Sequence, residues 1–153
     1  MIGDTVVVLR ELPELDYSTG EIQVVVAAGS EDRVAVTGGD NLYVDVDEDL
    51  ITIILGPQIG NGGPFDHFIR VKDIDWLGDL GKTIESINIV TNIAGFDQSR
   101  ISFTPDSVTF QLRDLTWQGS QFVYVALNPV PEPASAALGL IGAVSLALRR
   151  RRH

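Results

Sequence analysis

The sequence predicts an all-β body, an antiparallel β-sandwich or jelly roll, followed by a short C-terminal hydrophobic helix. Three observations predict it. Short runs of Val, Ile, Thr and aromatic residues recur with period-two alternation, and Gly, Asp, Asn and Pro separate them. No stretch of the body carries a helical period. The last part of the chain is different: Ala134 to Leu148 is an uncharged apolar run of 15 residues that ends on four arginines.

The strands are expected, in order, at Thr5–Leu9, Ile22–Ala27, Val34–Thr37, Leu42–Asp47 and Ile51–Leu55, then at Phe68–Lys72, Ile84–Val90, Ile101–Phe103, Val108–Arg113 and Phe122–Leu127. Val108-Thr109-Phe110-Gln111-Leu112 is the clearest. Its apolar residues fall on one face and its polar ones on the other, as on a half-buried antiparallel strand. Gly38-Gly39-Asp40-Asn41 and Thr104-Pro105-Asp106-Ser107 have turn chemistry. Asn61-Gly62-Gly63-Pro64 reads as a break that no strand can contain. Short strands at this spacing suit a sandwich or jelly roll. The expected organisation is a β domain over 1–128, a Pro-rich junction over 129–133 and a short membrane helix with a basic end over 134–153.

The chain has 153 residues and no cysteine, so disulfides, zinc–thiolate sites and thiol nucleophiles are excluded. Its formal charge of −10 is unevenly spread. The tail from Glu132 holds four of the 11 basic residues and one of the 21 acidic ones. The body therefore has seven basic against twenty acidic residues, a formal charge of −13. Such a body repels nucleic-acid phosphates and anionic lipid headgroups, so no nucleic-acid partner is expected.

One echo runs through the body. Val71-Lys72-Asp73-Ile74-Asp75-Trp76-Leu77-Gly78 recurs as Leu112-Arg113-Asp114-Leu115-Thr116-Trp117-Gln118-Gly119, and both tryptophans of the chain fall in it. Trp76 and Trp117 are candidate aromatic platforms for a ligand. The favoured reading is two equivalent strand ends, each dropping an indole onto the core, because large aromatics usually carry core packing.

Asp45, Asp47 and Asp49 alternate along one strand and would present carboxylates on one face, a weak candidate for Ca²⁺. The EF-hand pattern fails, because the sixth position is Leu50 and the twelfth Gly56. A solvated outer face is the alternative. Asp73, Asp75 and Asp79 form a looser acidic group around Trp76. His67 is the body's only histidine, and no Gly-x-Ser-x-Gly elbow or phosphate-binding loop accompanies it. No catalytic residue, cofactor or resident metal is assigned, and the chain is expected not to be an enzyme.

As a helix, Ala134 to Leu148 would span about 22 Å, short of the roughly 30 Å hydrocarbon core. Pro131 and Pro133 mark a stiff start, and Arg149 to Arg152 can snorkel at the other end. Arginines flanking a membrane segment stay cytoplasmic, which places the acidic body outside. Met1 to Val8 lacks the basic and apolar regions of an export signal, so the expectation is that the true start lies upstream or that this chain is a fragment.

The tail resembles the PEP-CTERM sorting signal of Gram-negative and related bacteria. Val130-Pro131-Glu132-Pro133-Ala134-Ser135 matches its leading motif, Ala136 to Leu148 its apolar segment, and Arg149-Arg150-Arg151-Arg152 its basic stop. The resemblance implies recognition by exosortase, a membrane-embedded cysteine protease or transpeptidase, with processing near Pro131-Glu132-Pro133. It also implies an inner-membrane intermediate and a destination at the cell surface or in an exopolysaccharide matrix. The body is similar, more loosely, to the β-rich domains found ahead of this signal, particularly at Phe103 to Leu127. The function expected is that of an exported structural or interaction protein, with a polysaccharide- or calcium-binding module as the alternative.

Overall fold

In a computed structural model, the described residues are 5–26, 34–36, 42–56, 60–76 and 81–131. Thirteen strands arise from them. They are β1 (Thr5–Leu12), β2 (Tyr17–Ser18), β3 (Ile22–Val25), β4 (Val34–Ala35), β5 (Leu42–Val46), β6 (Leu50–Leu55) and β7 (Gly60–Asn61). Then come β8 (Phe68–Lys72), β9 (Lys82–Thr91), β10 (Ile101–Thr104), β11 (Ser107–Gln111), β12 (Thr116–Trp117) and β13 (Phe122–Pro131). Two short 3₁₀ turns, Pro13–Leu15 and Gln98–Arg100, are the helical elements among the described residues.

The strands form two antiparallel sheets and a small ribbon. The first sheet runs β10-β11-β8-β1-β2, with β3 also on β1. The second runs β4-β5-β6-β13-β9, and β7 pairs with β12. Alternation explains the layering. On β5, Leu42, Val44 and Val46 are buried while Tyr43 and Asp45 turn outward. On β11, Val108 and Phe110 are buried between Thr109 and Gln111. Both sheets contribute to one hydrophobic core, with Val6, Val8, Ile69 and Phe110 from the first and Ile51, Ile53, Val123 and Val125 from the second.

Several elements differ from the sequence expectation. β1 continues past Leu9 to Leu12, because Arg10 and Glu11 find partners in Ile69 and Phe68 of β8. The glycine-rich break contributes a short strand after all: Gly60–Asn61 pairs with Thr116–Trp117. The backbone there passes so close to its neighbour that a Cβ on Gly62 would lie 1.6 Å from the Leu112 carbonyl oxygen, so only glycine fits. Pro105-Asp106 makes the expected turn between β10 and β11.

The largest difference is at β13. The alternation ends this strand at Leu127, yet β13 pairs with β9 as far as Pro131. Proline is tolerated in sheets only at edges and bulges. Both conditions hold here. The pairing of β13 with β6 ends at Ala126, and its pairing with β9 shifts register between Asn128 and Pro129. The hairpin expected at Gly38–Asn41 and the helix expected over 134–153 lie outside the described residues. Among the described residues no helix is long and apolar enough to cross a membrane.

Candidate functional site: the end of the last strand

The chemistry-bearing residues of the body are used mainly for packing and internal hydrogen bonds. Trp76 and Trp117 are each 5% exposed and belong to the core. The echo that contains them is one turn used twice, after the neighbouring strands β8 and β11. In both copies an aspartate takes the left-handed conformation, Asp73 at φ 57° and Asp114 at φ 58°. The next apolar residue, Ile74 or Leu115, is buried, and the tryptophan two positions on follows it inward. Aspartate is among the residues that tolerate this backbone, which gives the repeated Asp a structural reason. Neither indole is offered to solvent as a platform.

The acidic run is likewise occupied. Trp76 Nε1 donates to Asp49 Oδ1 at 2.8 Å. The Asp49 carbonyl accepts from the Leu127 backbone N–H at 2.8 Å. Asp47 Oδ1 accepts from the Glu48 N–H. Among the described residues no group of three His, Cys, Asp or Glu side chains could hold a metal ion. Asp73 stands in its turn and Asp75 has an interaction partner, while Asp79 lies outside the described residues.

His67 is 2% exposed. Arg10 Nε donates to its Nε2 at 2.8 Å, so the imidazole is neutral with its proton on Nδ1. Burial lowers its pKa to about 4, the Arg10 charge adds to that, and a hydrogen bond to the Gly62 backbone opposes it. The adjacent Asp66 carboxylate faces elsewhere, accepting from Gln111 and Arg113. His67 is therefore a buried structural group whose lone pair is already used by an arginine. Nothing in the sequence placed Arg10 beside it, since the two are 57 positions apart.

The end of β13 has a different character. Its first half, Phe122 to Ala126, lies between β6 and β9. Its second half, from Asn128, pairs with β9 alone: Asn128 with Ser86, Pro129 with Ile84, Val130 with Thr83 and Pro131 with Lys82. The register shift leaves Glu85 of β9 without an opposite residue. The Ile84 N–H points away from β13 and donates to the carbonyl of Pro105, in the turn between β10 and β11, at 2.9 Å. Strand alternation then turns the Thr83 backbone toward β13. Val130 and Thr83 thus occupy a hydrogen-bonded pair position, and both prolines fall where the backbone nitrogen points away from β9. A proline there costs no ladder bond.

A family model described as the PEP-CTERM protein-sorting motif matches residues 129–152. The chain carries a PEP-CTERM sorting signal. No curated protein and no solved structure matches the chain. The signal implies export through exosortase and sorting to the cell envelope. Of its residues, Pro131 is the last of β13, whereas Glu132, Pro133 and Arg149, Arg150, Arg151 and Arg152 lie outside the described residues. The sorting signal and the β body therefore overlap: residues 129–131 belong to both.

Proposed function

We propose that this chain is an exported, non-catalytic protein of the cell surface or extracellular matrix, with a β-sandwich body of structural or interaction type. The observation that carries the proposal is the PEP-CTERM match over 129–152, attached directly to the last strand of a two-sheet β domain. Exosortase is the processing partner, and the membrane holds the chain through its tail until processing. The acidic body suits the outside, and the four arginines suit the cytoplasmic side. Non-catalytic character is supported by the site chemistry, since the buried histidine is committed to Arg10 and both tryptophans to the core.

The test is fractionation of tagged chain from a host that contains exosortase and from the same host lacking it. The expected result is surface or matrix protein in the first and inner-membrane protein in the second. Identical distributions in the two hosts would contradict the proposal.

A second reading, binding of exopolysaccharide, is favoured by one surface. Tyr43, Ile54 and Phe122 pair across β5, β6 and β13 on the outer face of the second sheet. Tyr124 pairs with Val90, which is 63% exposed, in the next row, and its ring lies 4.3 Å from that of Phe122. Sugar rings stack on aromatic faces of this kind. Retention on matrix polysaccharide by the wild-type chain, lost in Tyr124→Ala, would support this reading. Equal retention of both would remove it.

A further inference from the structure

We propose that the sheet itself gates processing: residues 128–131 must unpair from β9 before exosortase can act on Pro131-Glu132-Pro133. This inference rests on the reading of the tail as a processed signal. It adds a step that the signal alone does not contain.

An enzyme that cuts a chain binds it extended and hydrogen-bonds to its backbone, much as a strand is added to a sheet edge. The outer edge of β13 beyond Leu127 offers no donor at Pro129 or Pro131, because proline has no N–H. The intervening donor, Val130, faces Thr83 of β9. A processing enzyme can obtain that donor only by displacing β9. The strand β9 is the less movable of the two at this point, since Ile84 is buried and its N–H is bonded to Pro105 in the turn that joins β10 to β11.

From Pro131, the last described residue of β13, to Ala134, the start of the apolar run, there are three steps along the chain. Fully extended, they cover about 10 Å. While the pairing holds, a membrane-embedded enzyme meets the junction with the folded body directly beside it. Unpairing back to Leu127 adds four residues, or about 13 Å more. Leu127 is where the strand becomes fixed: its side chain is buried and its N–H is held by Asp49. The gate is thus built to open over a defined length. Pairing on one side only and the register shift make it weak, while the anchored Leu127 keeps the body folded when it opens.

The experiment is a cross-strand staple. Thr83 and Val130 are direct partners in an antiparallel pair, where Cα atoms stand about 5.5 Å apart, within the range a disulfide bridges. The chain has no cysteine of its own, so Thr83→Cys with Val130→Cys can form only this bridge within the chain. Full-length chains are expressed in an exosortase-containing host, and conversion to the processed form is followed over time. The oxidised double variant is expected to convert at least about tenfold more slowly than either single variant. A six-residue Gly/Ser insert between Val130 and Pro131 of the stapled chain should restore conversion, because it supplies free extended backbone ahead of the motif. Conversion of the stapled chain at the rate of the single variants overturns the gate. So does a stapled chain that the insert fails to rescue. If neither wild type nor the single variants are converted at all, the processed-signal reading falls and takes the gate with it.

Discussion

The two halves of β13 are one continuous strand with opposite duties. Val123 and Val125 lie between two neighbouring strands and are fully buried. Asn128 to Pro131 have one partner strand among the described residues, a register shift and two prolines in four residues. The first half therefore shares the stability of the whole domain, and the second can open without it. A single strand can so serve as both core element and leader to a sorting signal, provided that something fixes the point where one duty ends. Asp49 does this, with its carbonyl on the Leu127 N–H and its carboxylate on the Trp76 indole.

The largest expected effect breaks the comparison through the whole domain at once. His67 has a folded-state pKa of about 4, lowered by burial and by Arg10 from an unfolded value near 6.5. The folded state binds fewer protons, so this contribution is fully present above about pH 6.5 and is lost as pH falls toward 4. Its size is up to about 3 kcal/mol. Chemical denaturation between pH 7 and pH 4 should show the loss, and His67→Gln should flatten it. The opening free energy of amides in the buried half of β13, taken from exchange relative to the intrinsic rate at each pH, should fall in parallel with this global loss, while that of Val130 should change little.

Side-chain truncation sharpens the contrast further. Val125→Ala removes two buried methyl groups and should cost about 2–3 kcal/mol by denaturant melting. Trp76→Phe removes the donor to Asp49 and should cost about 1–2 kcal/mol. It should also raise local opening beyond Leu127 more than Trp117→Phe does, because the Trp117 indole N–H has no partner among the described residues. Val130→Ala, in the one-sided half, should stay within about 0.5 kcal/mol globally. Comparable losses for Val125→Ala and Val130→Ala would erase the distinction between the halves.

Legibility in the sequence follows the same division. Strands such as β5 and β11 could be read because alternation directly reflects one buried face. The Pro105-Asp106 turn was readable from its own residues. The extension of β13 was not. Pro129 and Pro131 look like the end of a strand unless one knows that, among the described residues, no strand pairs with β13 there on the side away from β9, which is a fact of topology. Pairings across long separations were equally hidden: Trp76 with Asp49 and Arg10 with His67 join different strands or turns, and no local pattern announces them. The sorting signal was legible for the converse reason, because its three parts are contiguous and it acts as a linear address.

Hydrogen exchange at the backbone amides of Val125 and Val130, in the body folded at neutral pH, separates opening of the one-sided half of β13 from unfolding of the domain. Val130 is the one amide between the two prolines, so it reports the gate alone. The account predicts that Val125 exchanges only with global unfolding, and that Val130 exchanges at least about a hundredfold faster through local opening. Equal protection at the two positions, with both tracking global stability, would contradict it.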